Sequence, residues 1–253
     1  MRVILTIASR ELRGYFATPV GWLCMTGFAV VTGFFFALMT TDFAAQAATD
    51  QFNPYMASQL NLTDWLIQPF FANTAVILLM LCPALSMRLF AEDRRSGALE
   101  LLLASPISSS QIVTGKYLGS LGFVLAMLGT TLPMTGILYW LGSPDTGVIL
   151  SAYLATLLLA ASFMAVGMLT SAFTTSQVVA LVLSFGALLS LWVLSWTSGL
   201  GDLGEAVAAV SMLTHLQQLS KGLLHLKDLV YFVSFIAVFV FATIQRVEAY
   251  RWR

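Results

Sequence analysis

The feature that most constrains this chain is a series of long apolar stretches separated by short polar ones. Six runs reach span length, near residues 20–41, 69–90, 115–141, 147–171, 177–200 and 228–245. A helix needs about 20 apolar residues to cross the hydrocarbon core of a bilayer. Inside that core only helices and closed barrels satisfy their own backbone groups, and runs this long read as helices. The expectation is an all-α membrane protein. Charge agrees, since only 9% of residues are charged where a soluble domain carries about 25%. Little chain is left for an aqueous domain, so residues 1–253 read as one transmembrane domain.

With an even number of spans both termini share a side, and charge can be counted by side. The terminal side holds ten of the twelve basic residues: Arg2, Arg10, Arg13, Arg88, Arg94, Arg95, Lys116, Arg246, Arg251 and Arg253. The other side has Lys221 and Lys227 against Asp42, Asp50, Asp64, Asp145, Asp202, Glu205 and Asp228. The positive-inside rule then puts both termini in the cytosol.

Residues 1–18 read as an amphipathic helix lying in the membrane surface. Ile4, Leu5, Ala8, Leu12, Tyr15 and Phe16 recur at helical spacing, with Arg2, Thr6, Ser9 and Arg13 opposite. Pro19 ends it and turns the chain into the first span. Val3–Ala8 is too short for the apolar core of a cleaved leader, so none is expected. Residues 42–67 read as an outer loop and 200–228 as an outer segment, in which Val207, Val210, Leu213 and Leu216–Leu219 suggest a short helix. His215 and His225 lie in that segment. Ten residues apart and without a carboxylate at ligand spacing, they read as surface or packing histidines, not as a metal site. Cys24 and Cys82 fall inside spans and read as packing residues.

The spans also exclude function classes. No Asp, Glu, Lys or Arg lies in the interior of a predicted span, whereas ion-coupled carriers and proton pumps use such groups. An intramembrane hydrolase needs an activated nucleophile or a metal, and the spans offer only scattered Ser and Thr. Gly115-Lys116 is followed by Tyr117 and lacks the upstream glycine of a phosphate-binding loop. The chain thus has no visible energy source or cofactor of its own, and nothing in it suggests a nucleic-acid partner.

Charge concentrates in one place. Arg88, Glu92, Asp93, Arg94, Arg95, Glu100 and Lys116 are seven of the 24 charged residues, within residues 88–116. Inside this stretch, between Gly97 and Pro106, lies ALELLLAS, about two helical turns. Leu99, Leu101, Leu102 and Leu103 point in nearly every direction round the axis, and a helix apolar all round is to be buried all round. It is too short to span, so one face is expected against the spans and another against a second protein. Glu92, Asp93, Arg94 and Arg95 can fix register to that partner. Pro106 stops the segment. Ser108 with Gln111 then forms a capping box that starts the third span, and Ile107 and Ile112 are placed for a hydrophobic staple.

Residues 87–117, MRLFAEDRRSGALELLLASPISSSQIVTGKY, resemble the signature of ABC exporter permeases of the type-two class. They are most similar to the gliding-motility-type (type V) permeases, whose pattern is E/D-x-R-x-G-x-x-E, a leucine-rich turn, S/T-P and Q-I-V-x-G-K. Residues 82–88, CPALSMR, resemble the end of that subgroup's second span. The resemblance implies six spans, a surface helix and a coupling helix in the cytosolic segment 91–107, docked into a groove on a separate ATPase. The implied ATPase contacts are Glu92, Asp93, Arg94, Arg95, Gly97, Glu100, Leu101, Leu102, Ser105 and Pro106, with the 172–176 turn as a second contact. It implies two ATPases, which hold the ATP and Mg, and two permeases, identical or paralogous. It also implies a bacterial inner-membrane location among lipids. The alternative is ATP-driven motion relayed to an auxiliary subunit with a large outer domain, without a transported solute.

Overall fold

The chain folds around its most evenly apolar long segment. The computed structural model describes residues 2–50, 62–142, 144–194, 211–222 and 225–251, and their regular structure is helical throughout. In chain order the helices are α1 (Arg2–Ala17), α2 (Pro19–Asp50), α3 (Gln68–Ser86, entered through a π-helical turn at Thr63–Ile67), α4 (Arg88–Arg95), α5 (Ala98–Ala104) and α6 (Ser109–Gly129). They continue as α7 (Leu132–Leu141), α8 (Thr146–Phe173), α9 (Gln177–Val193), α10 (Met212–Ser220) and α11 (Leu226–Arg251). Helix α8 is the axis, with α3, α6, α9, α10 and α11 packed round it. Ala152, Ala155, Ala160, Ala161, Ala165 and Gly167 lie along it, small residues that let neighbouring backbones approach closely. Leu159, Phe163, Met164 and Met168 fill the remaining space and are fully buried.

Among the described residues, five stretches are long and apolar enough to cross a membrane: Pro19–Ala48, Trp65–Arg95, Ser109–Trp140, Thr146–Phe173 and Leu226–Arg251. The remaining expected run, 177–200, begins as α9, an apolar helix of 17 residues. Residues 195–200 lie outside the described residues.

Several expectations are corrected. Residues 42–50 are not loop, because α2 continues to Asp50. Its last turns are rich in alanine, the best helix former, and Met39 and Phe43 pack against a cluster of Phe36, Phe70, Phe71 and Leu138. The third run is not one straight helix. Pro133 has no N–H for the carbonyl of Gly129, so the chain breaks at Thr130–Thr131 between α6 and α7. The second run does not stop at residue 90. Met87 keeps helical backbone angles, and α4 continues from α3. Trp65–Arg95 is 31 residues, about 46 Å of rod, so one end stands clear of a hydrocarbon core about 30 Å thick.

Helix α1 has the predicted length, and Ile4, Ala8, Leu12, Tyr15 and Phe16 of the expected face turn inward. Ile7 and Tyr15 are buried, while Leu5 is 64% exposed. The cause lies in α6, whose Gly115 and Gly119 form a groove. A Cβ at Gly115 would come 2.8 Å from Ile7, and one at Gly119 would come 2.7 Å from the Ala8 carbonyl oxygen and from the Glu11 Cβ. Ile7, Ala8 and Glu11 seat α1 there, beside the apolar stripe. Helix α10 forms where a short helix is expected, capped by Ser211 and burying Met212, Leu216 and Leu219. Val207 and Val210 lie outside the described residues.

Candidate functional site

The charged stretch folds at the arginine-rich end of the bundle, and α4 is its anchor. Leu89, Phe90 and Ala91 are buried. The first N–H groups of a helix lack intrahelical acceptors. Here Ser171, from the end of α8, supplies one. Its Oγ accepts from the N–H of Phe90 at 3.1 Å and of Ala91 at 3.0 Å, and donates to the Met87 carbonyl at 2.8 Å. At the other end of α4, Arg94 donates to the Ala172 carbonyl at 3.2 Å and lies 4.3 Å over the Tyr250 ring of α11. Helix α4 is therefore tied to α8 and α11 by groups far away in sequence.

Asp93 makes a further tie. Lys116 of α6 is 2% exposed, with its Nζ 2.8 Å from Asp93 Oδ2 and 3.2 Å from Glu11 Oε2 of α1. The Glu11 contact is a hydrogen bond, whereas the Asp93 contact is an ion pair whose angle falls short of one. Nζ also lies 5.5 Å over the Phe90 ring. One buried ammonium thus faces carboxylates from two other helices. Beside it Tyr15 donates to the Leu85 carbonyl at 3.0 Å, stacks on Phe123 at 4.8 Å and carries Arg88 4.8 Å over its ring. Burial, chiefly, pushes the Tyr15 hydroxyl well above its ordinary pKa, so it stays a neutral donor. A polar cleft of about 280 Å³ runs between α1 and α4, lined by Arg10, Glu11, Thr18, Arg88, Glu92 and Asp93.

Helix α5 projects from this anchor. Gly97 takes φ 73°, a left-handed turn that suits glycine, and reverses the chain into α5. Leu99 is 3% exposed against the bundle, Leu102 and Leu103 are half-buried, and Leu101 is 77% exposed. Within this chain, then, one face of α5 is seated and one is open. Glu92, Arg95, Glu100 and Pro106 are exposed, and Ser105 is half-buried in extended backbone where α5 ends. Of the ten predicted contact residues, Asp93 and Arg94 turn into the bundle, while Glu92, Arg95, Glu100 and Leu101 turn outward. The capping box is present as read, with Ser108 Oγ accepting from the Gln111 N–H and the Gln111 side chain accepting from the Ser108 N–H, both at 3.3 Å.

A protruding two-turn helix, braced by several spans at one charged end, suits a membrane component driven from outside. Over residues 5–248 the sequence matches the family model described as ABC-2 family transporter protein. The chain belongs to the ABC-2 transporter family. It is a multi-pass membrane permease subunit of an ABC transporter, non-catalytic in itself, and the family implies an ABC ATPase as partner. Comparison with curated proteins gives no match.

The opposite end of the permease holds a pair that sequence reading missed. His215 Nδ1 of α10 lies 2.6 Å from Oδ1 of Asp228 in α11, and the imidazole stacks on Tyr231 at 4.0 Å. Asp228 is fully buried, and its Oδ2 has no hydrogen-bond partner among the described residues. His225 is exposed. Sequence reading also missed the burial of Lys116. The usable signal was Gly115-x-x-x-Gly119 on either side of it, a spacing that invites a helix to pack close. Ser171, one hydroxyl among many in the spans, had no such signal.

Proposed function

We propose that this permease is the membrane part of an ATP-driven exporter and that α5, with the exposed edge of α4, is where its ATPase docks. The observation that carries the reading is Leu101, 77% exposed at the tip of a helix whose Leu99 is locked into the bundle. Glu92, Arg95 and Glu100 ring it with exposed charge. An apolar knob with a charged rim is the usual anatomy of a docking patch. Gly97, Leu102, Ser105 and Pro106 complete the contact and hold α5 at its angle. Asp93 and Arg94 orient it from inside. The 172–176 turn adjoins the same surface, since Ala172 receives the Arg94 bond, and serves as the second contact.

In this reading ATP-driven closure of two ATPases, which bind the ATP and Mg, pushes α5 as a lever. The α3–α4 rod carries the push into the membrane. The arginine-rich end and both termini face the cytosol by the positive-inside rule, in a bacterial inner membrane. Helix α9 lies in the apolar run that this reading takes as the sixth span. Val178, Val182 and Leu183, exposed on α9, suit lipid or a second permease, identical or paralogous. The residue pattern of 87–117 favours the gliding-motility subgroup.

The test is co-purification with the ATPase after Glu100→Lys or Leu102→Asp. Lost ATPase binding supports the reading; retained binding with unchanged transport overturns it. A second reading, motion relayed to an auxiliary subunit on the outer face, draws on α2. At 32 residues it is about 48 Å long and outreaches the hydrocarbon. ATPase stimulation only by an outer-face protein supports relay, and stimulation by a solute in liposomes supports transport.

A further inference from the structure

We infer that Lys116 is a clamp that makes α1 move with the docking helix as one body. The inference rests on the proposed coupling role of α5 and adds to it the element that shares the motion. Besides Tyr15, which bonds to the Leu85 carbonyl, stacks on Phe123 and carries Arg88 of α4 over its ring, helix α1 meets this end in two further ways. Ile7, Ala8 and Glu11 sit in the Gly115–Gly119 groove of α6. That contact joins α1 to α6 alone and is apolar apart from Glu11, so it resists separation more than sliding. Lys116 supplies what the groove lacks. It is 2% exposed, and it bridges Glu11 on α1 and Asp93 on α4, which are 18% and 19% exposed.

Moving either carboxylate off a buried ammonium weakens its compensation at low dielectric, so both partners are drawn along with it. Asp93 lies four residues before Gly97, the pivot of α5, so the chain of force runs from α5 through α4 and Lys116 to α1. Without the ammonium, Glu11 and Asp93 are like charges facing each other across the joint between α1 and α4. Lys116 thus acts as a positioning residue, and it touches neither the docking face of α5 nor the exposed Leu101.

The test uses the full permease assembled with its ATPase. Cys24→Ser and Cys82→Ala give a background for paired spin labels. Arg13→Cys on α1, Ala104→Cys at the end of α5 and Thr146→Cys at the far end of α8 provide the sites, all exposed in the native chain. Between 13 and 104 we expect one narrow distance that stays the same with and without nucleotide. Lys116→Met should broaden it, or make it nucleotide-dependent, while α1 stays on α6 through the glycine groove. Lys116→Arg, which keeps the charge, should restore the narrow distance, and Glu11→Gln, milder than Lys116→Met, should broaden it in part.

A 13–104 distance as narrow in Lys116→Met as in the parent overturns the clamp. So does a 13–104 distance that shifts with nucleotide in the unmodified chain. The 104–146 distance reads the parent proposal separately. Its failure to change with nucleotide counts against α5 as a lever, while the nucleotide-free 13–104 result still decides the clamp.

Discussion

Each end of the bundle buries an ion pair, and the two are built differently. At the arginine-rich end Lys116 joins α1, α4 and α6, with Glu11 lying 105 residues away in sequence. At the other end His215 joins Asp228 only 13 residues on, closing one turn between α10 and α11. The first tie spans elements that nothing local would hold together. The first end also has Ser171 and Arg94 stitching α4 to α8. One end is thus a long-range polar brace, and the other is a local clasp. In the proposed coupling, the brace lies at the end where force would enter.

The comparison breaks most sharply at Lys116. Lys116→Met removes the shared cation of a buried cluster, and a loss of about 3 kcal/mol is expected. Denaturant unfolding in detergent, followed by tryptophan fluorescence, measures it. A loss no larger than at the opposite clasp removes the distinction between the ends. Gly119→Val comes next. Its side chain would collide with the Ala8 carbonyl and the Glu11 Cβ, and overpacking of this kind costs about 2 kcal/mol. Proteolysis of α1 should accelerate in that variant, and only there.

At the other end, His215→Phe keeps an aromatic ring on Tyr231 but leaves the Asp228 carboxylate with neither oxygen partnered by the imidazole. A loss of about 1.5 kcal/mol is expected. Asp228→Asn in the same background should recover part of it, which sharpens the reading of a two-residue clasp. Ser108→Ala, which deletes the cap of α6 and touches neither ion pair, should cost about 1 kcal/mol.

What the sequence revealed follows the range of the forces involved. Apolar length located the five crossing stretches, because burying a span in lipid is decided within the segment itself. The capping box at Ser108 was legible for the same reason. The extension of α2 was missed because polar residues such as Asp42 and Gln46 masked an alanine-rich run with good helix propensity. Ile7 was left out of the buried face because the seat of α1 is dictated by glycines more than 100 residues away. Glu11, Ser171, Lys116 and Asp228 could not be assigned from spacing, since each finds its partner only once the bundle is assembled. The docking helix stood out as a leucine run between breakers, but which leucine remains open, Leu101, required the fold.

The central claim is that Leu101 is kept exposed for an ATPase. Affinity of the purified ATPase for the permease with Leu101→Asp, set beside the thermal unfolding of the permease alone, tests it most directly. The account predicts unfolding within about 0.5 kcal/mol of the parent, as for an exposed site, and ATPase affinity weakened by about tenfold or more. Undiminished affinity in a folded Leu101→Asp permease would contradict it.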